Sequence, residues 1–290
     1  MPVRVLVLGS SGMAGHVVTS YLKDVCGHEV LAVGPRRVTI PGSIQWDVED
    51  LKDAYRILGD FQPTVVVNCL GVLVKASEEH RYDAVLINAL IPHFLAKACK
   101  GFGARLIHLS TDCVFSGERG PYAENDLKDG EAFYDRSKAL GEILDGANLT
   151  IRTSIIGPEL KTDGTGLFDW IMRQTGEVSG FSRALWSGVT TLELARFIAY
   201  CITDNKGLSG LVHFSVEGGI SKFELLQKIA TAFNKTLVVK PVSEPVLDKR
   251  LVCTRTDLGI SARDYSTQLT ELRVWMEKYP EYYASYLENL

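Results

Sequence analysis

The stretch V-R-V-L-V-L-G-S-S-G-M-A-G, residues 3–15, decides the fold, because it joins a short apolar run to a glycine-rich turn and a helical pattern. Val3–Leu8 predicts a buried strand, and Gly12–Val25 predicts the helix that follows it. Glycines at 9, 12 and 15 allow a tight turn, close approach of a pyrophosphate and close packing of helix on strand. The helix N-terminus adds free N–H groups and partial positive charge. The segment predicts a dinucleotide-binding turn, although a glycine loop can also simply reverse the chain.

The same alternation of short apolar and longer amphipathic runs continues through the first half of the chain. It predicts βαβ units in a Rossmann-type, doubly wound α/β fold with a parallel sheet. After about residue 155 the rhythm becomes irregular, with glycine-rich loops at 157–166 and 176–188. We expect a dinucleotide-binding domain at 1–155 and a smaller C-terminal, mainly substrate-binding lobe at 156–290, with a segment near 209–216 returning to the main sheet. Further strands are predicted at 29–33, 64–68, 105–110, 150–153 and 211–215, and further helices at 51–58, 80–100 (kinked or interrupted by Pro92), 133–144, 191–202 and 222–233.

Composition bounds the classes of partner. The chain has 290 residues and a net charge of −4, which gives no electrostatic case for nucleic acid or an anionic membrane. Its longest apolar runs are strand-length, so no transmembrane helix is expected. The N-terminus lacks a cleavable signal pattern. Six cysteines and six histidines are scattered without metal-ligand spacing, which argues against a metal site or a disulfide framework and favours the cytoplasm.

A second informative pattern is F-Y-D-R-S-K-A-L, residues 133–140, which places Tyr134 and Lys138 one helical turn apart. A free tyrosine has a pKa of about 10, too high for efficient proton transfer at neutral pH. An ammonium on the same face favours the phenolate and is expected to lower that pKa toward the working range. Alone, such a pair is also common on solvated helices.

The end of the second predicted strand bears on the choice of nicotinamide cofactor. Chains that bind NAD place an acidic residue there for the ribose 2′-hydroxyl. This chain reads V-L-A-V-G-P-R-R, with Arg36 and Arg37 and no carboxylate. Guanidinium groups suit a 2′-phosphate, so we predict NADP(H) and leave NAD(H) open. Asp47 is placed either to meet the adenine amine or to serve the N-cap region of the next helix.

With the glycine loop, S-T-D-C-V-F-S-G (110–117) and Y-D-R-S-K (134–138), the chain resembles the extended short-chain dehydrogenase/reductases. Within them it is similar to the dTDP-4-dehydrorhamnose reductase group of sugar-nucleotide reductases. The resemblance covers nearly the whole chain, because N-C-L-G (68–71), I-N-A (87–89), I-R-T-S-I-I-G (151–157) and W-S-G-V-T-T-L-E-L-A (186–195) fall in the expected order. The chain departs from the group at Cys113, where tyrosine is usual, and at Leu167, where asparagine is frequent. Both departures leave the identity of the sugar open.

The resemblance implies roles for the catalytic residues. Tyr134 would donate a proton as the C4 ketone becomes an alcohol. Lys138 would hold the nicotinamide ribose hydroxyls and lower the tyrosine pKa. Thr111 would hydrogen-bond the carbonyl, with Ser110 as a less favoured donor, because hydride delivery creates alkoxide character that a nearby acid and a neutral donor stabilise. The alternative for Thr111 is a structural role, in which its hydroxyl hydrogen-bonds the backbone of the loop at the end of the strand.

Further contacts are expected on the same basis. Trp186 could pack against the sugar or base, or serve as a core anchor. Arg250 and Arg255 are candidates for the substrate pyrophosphate, or simply solvated charges. The expected cofactor contacts are Gly9, Ser11, Gly12, Met13, Gly15, Arg36, Arg37, Asp47, Val48, Cys69, Leu70, Gly71, Asn88, Tyr134 and Lys138, and the expected substrate contacts are Ser110, Thr111, Cys113, Trp186, Arg250 and Arg255.

Three functions remain in competition. The leading hypothesis is NADPH-dependent reduction of an NDP-linked 4-keto-6-deoxyhexose, acting in synthesis of a deoxysugar donor such as dTDP-L-rhamnose for polysaccharides. The same reaction on a UDP-linked, N-acetylated sugar is the second. The third is a non-catalytic regulatory subunit of methionine adenosyltransferase, which shares the fold. An epimerase or dehydratase of this fold recycles NAD(H), so Arg36 and Arg37 argue against it. A nucleotide-sugar substrate is expected as partner, and a homodimer is left open.

Overall fold

A seven-stranded parallel sheet forms the centre of the molecule, whose computed structural model describes residues 1–34, 40–161 and 164–288. The strand order is β11-β6-β5-β4-β1-β2-β3, with every neighbouring pair parallel. This confirms the predicted Rossmann-type α/β fold. The strands of the sheet are β1 (Arg4–Leu8), β2 (Glu29–Gly34), β3 (Ile44–Gln45), β4 (Val65–Asn68), β5 (Arg105–Thr111), β6 (Leu149–Thr153) and β11 (Gly210–His213).

Strand β1 shows why its sequence is apolar at every position. Successive side chains of a strand point to opposite faces, so Val5 and Val7 enter one hydrophobic core while Leu6 and Leu8 enter the other. All four are at most 2% exposed, which requires helices on both faces of the sheet. The helices are α1 (Met13–Ser20), α2 (Leu51–Phe61), α3 (Val74–Glu79), α4 (Arg81–Ala84), α5 (Ile91–Phe102), α6 (Phe133–Leu140), α7 (Leu167–Arg173), α8 (Thr191–Thr203), α9 (Lys222–Ala232), α10 (Tyr265–Lys278) and α11 (Pro280–Leu287).

Helix ends depart from the predicted ranges at two places. α1 stops at Ser20 and continues as a π-helical turn, Tyr21–Val25. α6 ends at Leu140, earlier than predicted, with Gly141 as its C-cap. A Cβ at Gly141 would collide with the carbonyl oxygen of Asn88, so this end of the helix crosses a neighbouring backbone that leaves no room for a side chain. The helix boundary is therefore set by tertiary contact rather than by local propensity.

The predicted interruption near Pro92 takes the form of a wide helical turn. A π-helical segment, Val85–Leu90, joins α4 to α5, and Pro92 occupies the first turn of α5. The longer turn accommodates the missing N–H of proline without ending the helix. By length and composition alone this continuous helix, Arg81–Phe102, could cross a membrane, and it is the one such helix in the described part of the chain. Its inner face, including Ile91 and Leu95, belongs to one of the two cores of the sheet.

The C-terminal half combines small sheets and helices. β11 lies at the edge of the main sheet beside β6, where the returning segment was expected. The predicted loop at 176–188 is wrong, because it contains two strands held by partners far along the chain. The division at residue 155 stays a prediction. The remaining strands are β7 (Ile155–Ile156), β8 (Gly176–Phe181), β9 (Ala184–Trp186), β10 (Val189–Thr190), β12 (Ile220–Ser221), β13 (Leu237–Val242) and β14 (Leu247–Asp248).

Candidate active site

The glycine loop forms a tight turn at the carboxyl end of β1. Gly9 adopts φ +77°, a conformation open to glycine, and its N–H donates to the Val33 carbonyl at 2.9 Å. Gly12 is the N-cap of α1 and provides no side-chain cap. A Cβ on Gly15 would collide with the carbonyl oxygen of Gly9, so the third glycine lets the helix approach the turn. The backbone amides of the first helical turn can donate to a diphosphate, and the lack of side chains at the three glycines lets it approach the backbone.

Strand β4, which pairs with β1 in the sheet, also ends beside this turn. A Cβ on Gly9 would lie 2.9 Å from the carbonyl carbon of Cys69, so the loops after β1 and β4 touch at this point. Cys69 leads into Leu70 and Gly71, the segment expected to contact the cofactor. Carboxyl ends of neighbouring parallel strands form the usual ligand crevice of open α/β sheets. Ser11, Met13 and this segment thus lie at the edge of the sheet where the cofactor was predicted, and their contacts with it stay predictions.

Asn88 connects the loop after β4 to α6 through side-chain hydrogen bonds. Its Oδ1 accepts from the Val72 N–H at 2.9 Å. Its Nδ2 donates to the Val72 carbonyl at 3.0 Å and to the Ser137 hydroxyl at 3.1 Å. The side chain is fully buried, so its amide is engaged within the protein. The structure therefore places Asn88 as a positioning residue, in contrast to the direct cofactor contact expected from the sequence.

Thr111 and Tyr134 meet where β5 ends. Thr111 is the last residue of β5, and its hydroxyl lies close to the phenol of Tyr134, in the first turn of α6. The same hydroxyl accepts the Cys113 N–H at 3.1 Å and donates to the Asp112 carboxylate at 3.2 Å. The structural role considered for Thr111 is therefore confirmed, because its hydroxyl caps the turn after the strand, and its hydrogen bond to a substrate carbonyl stays a prediction. Cys113 also lies beside Tyr134, and burial raises the pKa of its thiol to about 12.

The expected lowering of the tyrosine pKa is wrong for this structure. Burial raises the pKa of Tyr134 above its ordinary value, and the neighbouring Cys113 raises it further. The nearby Thr111 hydroxyl lowers the pKa of Tyr134, but its effect is smaller than that of burial. The physical reason is that low-polarity surroundings penalise the phenolate more than nearby groups stabilise it. Tyr134 therefore holds its proton at neutral pH.

Lys138 points to the strand backbone, which explains why it does not act on the phenol. Its ammonium donates to the Leu109 carbonyl at 2.7 Å, and Lys138 as a whole is 3% exposed. Burial lowers the pKa of Lys138 to about 8, although Glu142 and Cys69 act to raise it. Its proximity to Cys69 places the ammonium next to the loop that follows β4. Lys138 is thus charged at neutral pH and lies between the glycine-loop edge and the catalytic helix.

Ser110 faces away from this site. Adjacent residues of a strand point to opposite sides, and the Ser110 hydroxyl donates to Glu142 at 2.7 Å. Glu142 in turn receives two hydrogen bonds from Arg152 at 2.9 and 2.8 Å, and both side chains are 1% exposed. Lys128 completes this buried cluster from its rim. Ser110 therefore belongs to a structural ion-pair network, and its placement argues against the expected substrate contact.

The two arginines expected at the substrate pyrophosphate are engaged within the protein. Arg250 forms an ion pair with Asp248 at 2.6 Å and donates to the Gly218 carbonyl at 3.0 Å. Arg255 forms an ion pair with Asp257 at 2.5 Å and donates to two carbonyls near β11. Their fixed guanidinium groups hold loops together, so the structure does not support either as a pyrophosphate contact.

Trp186 is a core anchor, one of the two alternatives considered for it, and its contact with the sugar or base stays a prediction. It is 3% exposed and stacks with Tyr265 at a centroid distance of 5.8 Å, which makes it a core anchor. Its ring also carries the ammonium of Lys222 at 4.6 Å from the centroid. Lys222 and Lys249 were missed by the sequence analysis although both act electrostatically on Asp112. A lysine at the first position of a helix, where the dipole disfavours a cation, was the available signal for Lys222.

The adenine end of the predicted cofactor site is only partly described. Asp47 is exposed, and its Oδ1 accepts the Glu49 N–H at 3.2 Å. The helix N-cap is Asp50, whose carboxylate accepts two amides of the first turn of α2. Asp47 and the half-buried Val48 stay predictions as cofactor contacts. The predicted specificity residues Arg36 and Arg37 lie outside the described residues.

The chain is similar to known proteins over most of its length. Residues 3–285 match the family described as the RmlD substrate binding domain. A dTDP-4-dehydrorhamnose reductase of Mycobacterium tuberculosis is 32% identical over 235 residues, which cover 76% of this chain and 72% of that protein. Methionine adenosyltransferase 2 subunit beta of Bos taurus is 28% identical over 282 residues, covering 90% and 84%. The solved dTDP-4-dehydrorhamnose reductase of Bacillus anthracis, in complex with NADP, superposes with a TM-score of 0.81 at 22% identity, covering 95% of this chain and all of that one.

Proposed function

The chain belongs to the family of the RmlD substrate binding domain, and we propose that it is an oxidoreductase that reduces the C4 ketone of a nucleotide-linked 4-keto-6-deoxyhexose with NADPH. The observation that carries the proposal is the contact between the Thr111 hydroxyl and the Tyr134 phenol beside a buried, charged Lys138. The likeness to a mycobacterial dTDP-4-dehydrorhamnose reductase favours a dTDP-linked sugar, in synthesis of a rhamnose donor for polysaccharides. A UDP-linked, N-acetylated sugar is the alternative substrate.

The chemistry assigns each residue a separate task. Bound NADPH supplies a hydride to C4, and the carbonyl oxygen gains alkoxide character. Thr111 donates a hydrogen bond to that oxygen and stabilises the developing charge. Tyr134 keeps its proton because burial raises its pKa, and it delivers this proton to the oxygen as the alcohol forms. Lys138, in the charged form, holds the nicotinamide ribose hydroxyls. The balance is one hydride and one proton added to the ketone, with NADP⁺ released.

The site also fits the nicotinamide dinucleotide. The turn at Gly9, the uncapped start of α1 and the close approach permitted by Gly15 form the diphosphate cradle. NADP was bound in the solved Bacillus anthracis enzyme of the same fold. We assign NADP(H) as the preferred cofactor and keep NAD(H) as the alternative. We also assign residues 1–155 mainly to the cofactor and 156–290 mainly to the substrate.

The test is reduction itself. The full chain is mixed with NADPH and, separately, with dTDP- and UDP-linked 4-keto-6-deoxyhexoses, and the loss of NADPH absorbance is followed. We expect turnover with one of these sugars and almost none with Tyr134→Phe. Tyr55→Phe is the matched control, because Tyr55 lies on α2, is 42% exposed, and keeps its ring contacts with Phe94 and Phe102 when the hydroxyl is removed. NADPH binding without oxidation of any sugar would contradict the proposal and favour a non-catalytic subunit like the bovine relative.

We further propose a homodimer formed through the exposed side of the helix Arg81–Phe102 and α6. Tyr82, Leu90 and Leu140 are apolar side chains that are 51–68% exposed there. The two helices are adjacent, because His93 is hydrogen-bonded to the Leu140 carbonyl at 2.7 Å. Light scattering on the wild-type chain and on Leu90→Glu tests this, with a monomeric wild type as the contrary result. A cytoplasmic location is proposed from six free thiols, which suit a reducing compartment.

A further inference from the structure

The side-chain ammonium groups of Lys222 and Lys249 have no hydrogen-bond or ion-pair partner among the residues that the structure describes. Lys222 is half-buried at the start of α9, with its ammonium 4.6 Å from the centre of the Trp186 ring. Lys249 follows β14, and its stem packs on Gly117, where a Cβ would lie 3.0 Å from the lysine Cγ. Both side chains are therefore held by packing, while neither ammonium group has an anionic partner among the described residues.

The two ammonium groups act on carboxylates that adjoin the catalytic residues in the chain. Lys222 and Lys249 both stabilise the ionised form of Asp112, which adjoins Thr111. Lys249 has the same effect on Asp135, which adjoins Tyr134. These are the two carboxylates that face the lysines, and each is already engaged: Asp112 accepts from Thr111 at 3.2 Å, and Asp135 accepts the Ala132 N–H at 3.3 Å. Neither carboxylate forms an ion pair with either lysine in the described structure.

The position of Lys222 opposes the stability of its own helix. It is the first residue of α9, where the partial positive charge of the helix terminus disfavours a cation. Burial also disfavours its charged form. Arginines nearby behave differently, because Arg250 and Arg255 have carboxylate partners. A cation that is placed against the helix dipole and lacks an anionic partner among the described residues is suited to an anion supplied from outside.

We propose that Lys222 and Lys249 bind the diphosphate of the nucleotide-linked sugar. The proposal rests on the proposed function for the substrate class, because a 4-keto-6-deoxyhexose is neutral and the diphosphate is the substrate's principal anion. The Trp186 ring contacts the Lys222 ammonium and holds it in place. These residues replace Arg250 and Arg255 as the groups that recognise the substrate's charge.

Binding of nucleoside diphosphates tests the assignment without requiring turnover. Calorimetry on the full chain, saturated with NADP⁺, compares dTDP and UDP with thymidine and uridine. We expect Lys222→Gln and Lys249→Gln each to weaken binding of the preferred nucleoside diphosphate on the order of tenfold or more, the effect of losing a charge-assisted hydrogen bond. Binding of the nucleoside and of NADP⁺ should not change. Lys222→Arg should retain most of the affinity, because it keeps the charge.

Lys228→Gln is the matched control, since Lys228 lies on the same helix with an exposed ammonium that donates to Ser266 at 3.1 Å. Equal affinity of the two glutamine variants and wild type for the diphosphate would overturn the proposal. So would an equal loss for nucleoside and diphosphate, which would indicate a general structural role. The diphosphate site is also overturned if the wild type binds dTDP or UDP no more tightly than it binds the nucleosides. If diphosphate binding depends on the lysines but no ketone is reduced, only the reductase assignment is overturned.

Discussion

Lys138 should set the alkaline limit of activity, because it is the first group of the catalytic set to lose its required form as pH rises. Its pKa is lowered to about 8 by burial, whereas the pKa of Tyr134 is raised. The reaction uses charged Lys138 and protonated Tyr134, so both are in the required form at pH 7. As pH rises, the lysine deprotonates first and takes with it the charge that holds the ribose hydroxyls.

The magnitude follows from a single titration. At one pH unit above the pKa, about one tenth of the molecules keep the charged lysine, so kcat/KM should fall about tenfold between its plateau and pH 9. The assay is kcat/KM for NADPH against pH, with the sugar substrate saturating. Lys138→Met should lower kcat/KM throughout and abolish this limb, while Lys228→Met should leave it in place. A wild-type profile that stays flat to pH 10, or a limb that persists in Lys138→Met, would refute the reasoning.

The same group should make the fold more stable as pH rises. Lys138 has an ordinary pKa of 10.5 and a pKa of about 8 in the folded protein, so between these values the unfolded chain binds more protons. The destabilisation caused by the buried charge is fully present below about pH 8 and is relieved as pH approaches 10.5. The shift corresponds to on the order of 3 kcal/mol. Urea unfolding of wild type and Lys138→Met should therefore show a difference that changes by up to this amount between pH 7 and pH 10.5.

Three other substitutions separate catalysis, cofactor choice and folding. Tyr134→Phe should leave the NADPH dissociation constant nearly unchanged and lower turnover on the order of a hundredfold, the scale of a lost general acid; a loss below tenfold would count against its role. Arg36→Ala combined with Arg37→Ala should reduce the preference for NADPH over NADH in kcat/KM, and an unchanged ratio would refute the NADP assignment. Glu142→Gln should lower the free energy of unfolding by about 3–5 kcal/mol, because it leaves the guanidinium of Arg152 buried without its carboxylate; urea unfolding with a loss below about 1 kcal/mol would contradict this.

Much of the architecture was predictable because local patterns report it directly. Continuous apolar runs such as Val5–Leu8 identify strands that are buried on both faces, and the glycine spacing identifies the turn that follows. The catalytic helix was found from Tyr134 and Lys138 because a four-residue separation has one geometric meaning on a helix. The strands at 176–186 were missed because their partners lie far along the chain, and no local period reports a distant partner.

The environment of each side chain could not be predicted in the same way. Ser110 and Thr111 are neighbours with similar hydroxyls, yet one serves a buried ion-pair network and the other faces the phenol. Arg250 is engaged by a carboxylate two residues away, while Lys222 has an aromatic ring and no carboxylate beside it in the described part of the chain. The pKa of Tyr134 is raised, whereas its four-residue spacing from Lys138 predicted a lowered value. Burial disfavours the phenolate, and the extent of burial depends on all the residues packed around the ring.

The amino-acid sequence by itself determined the α/β fold, the dinucleotide turn at Gly9–Gly15 and the helical pairing of Tyr134 with Lys138, because each depends on residues close together in the chain. Tertiary structure decided which charges are free to act. Lys138 reaches the Leu109 carbonyl, and Lys222 and Lys249 approach Asp112 only because the chain folds distant segments onto the ends of the sheet. Burial and the presence of hydrogen-bond or ion-pair partners depend on the folded chain. They determine the protonation state of Tyr134 and leave the charges of Lys222 and Lys249 available to the substrate.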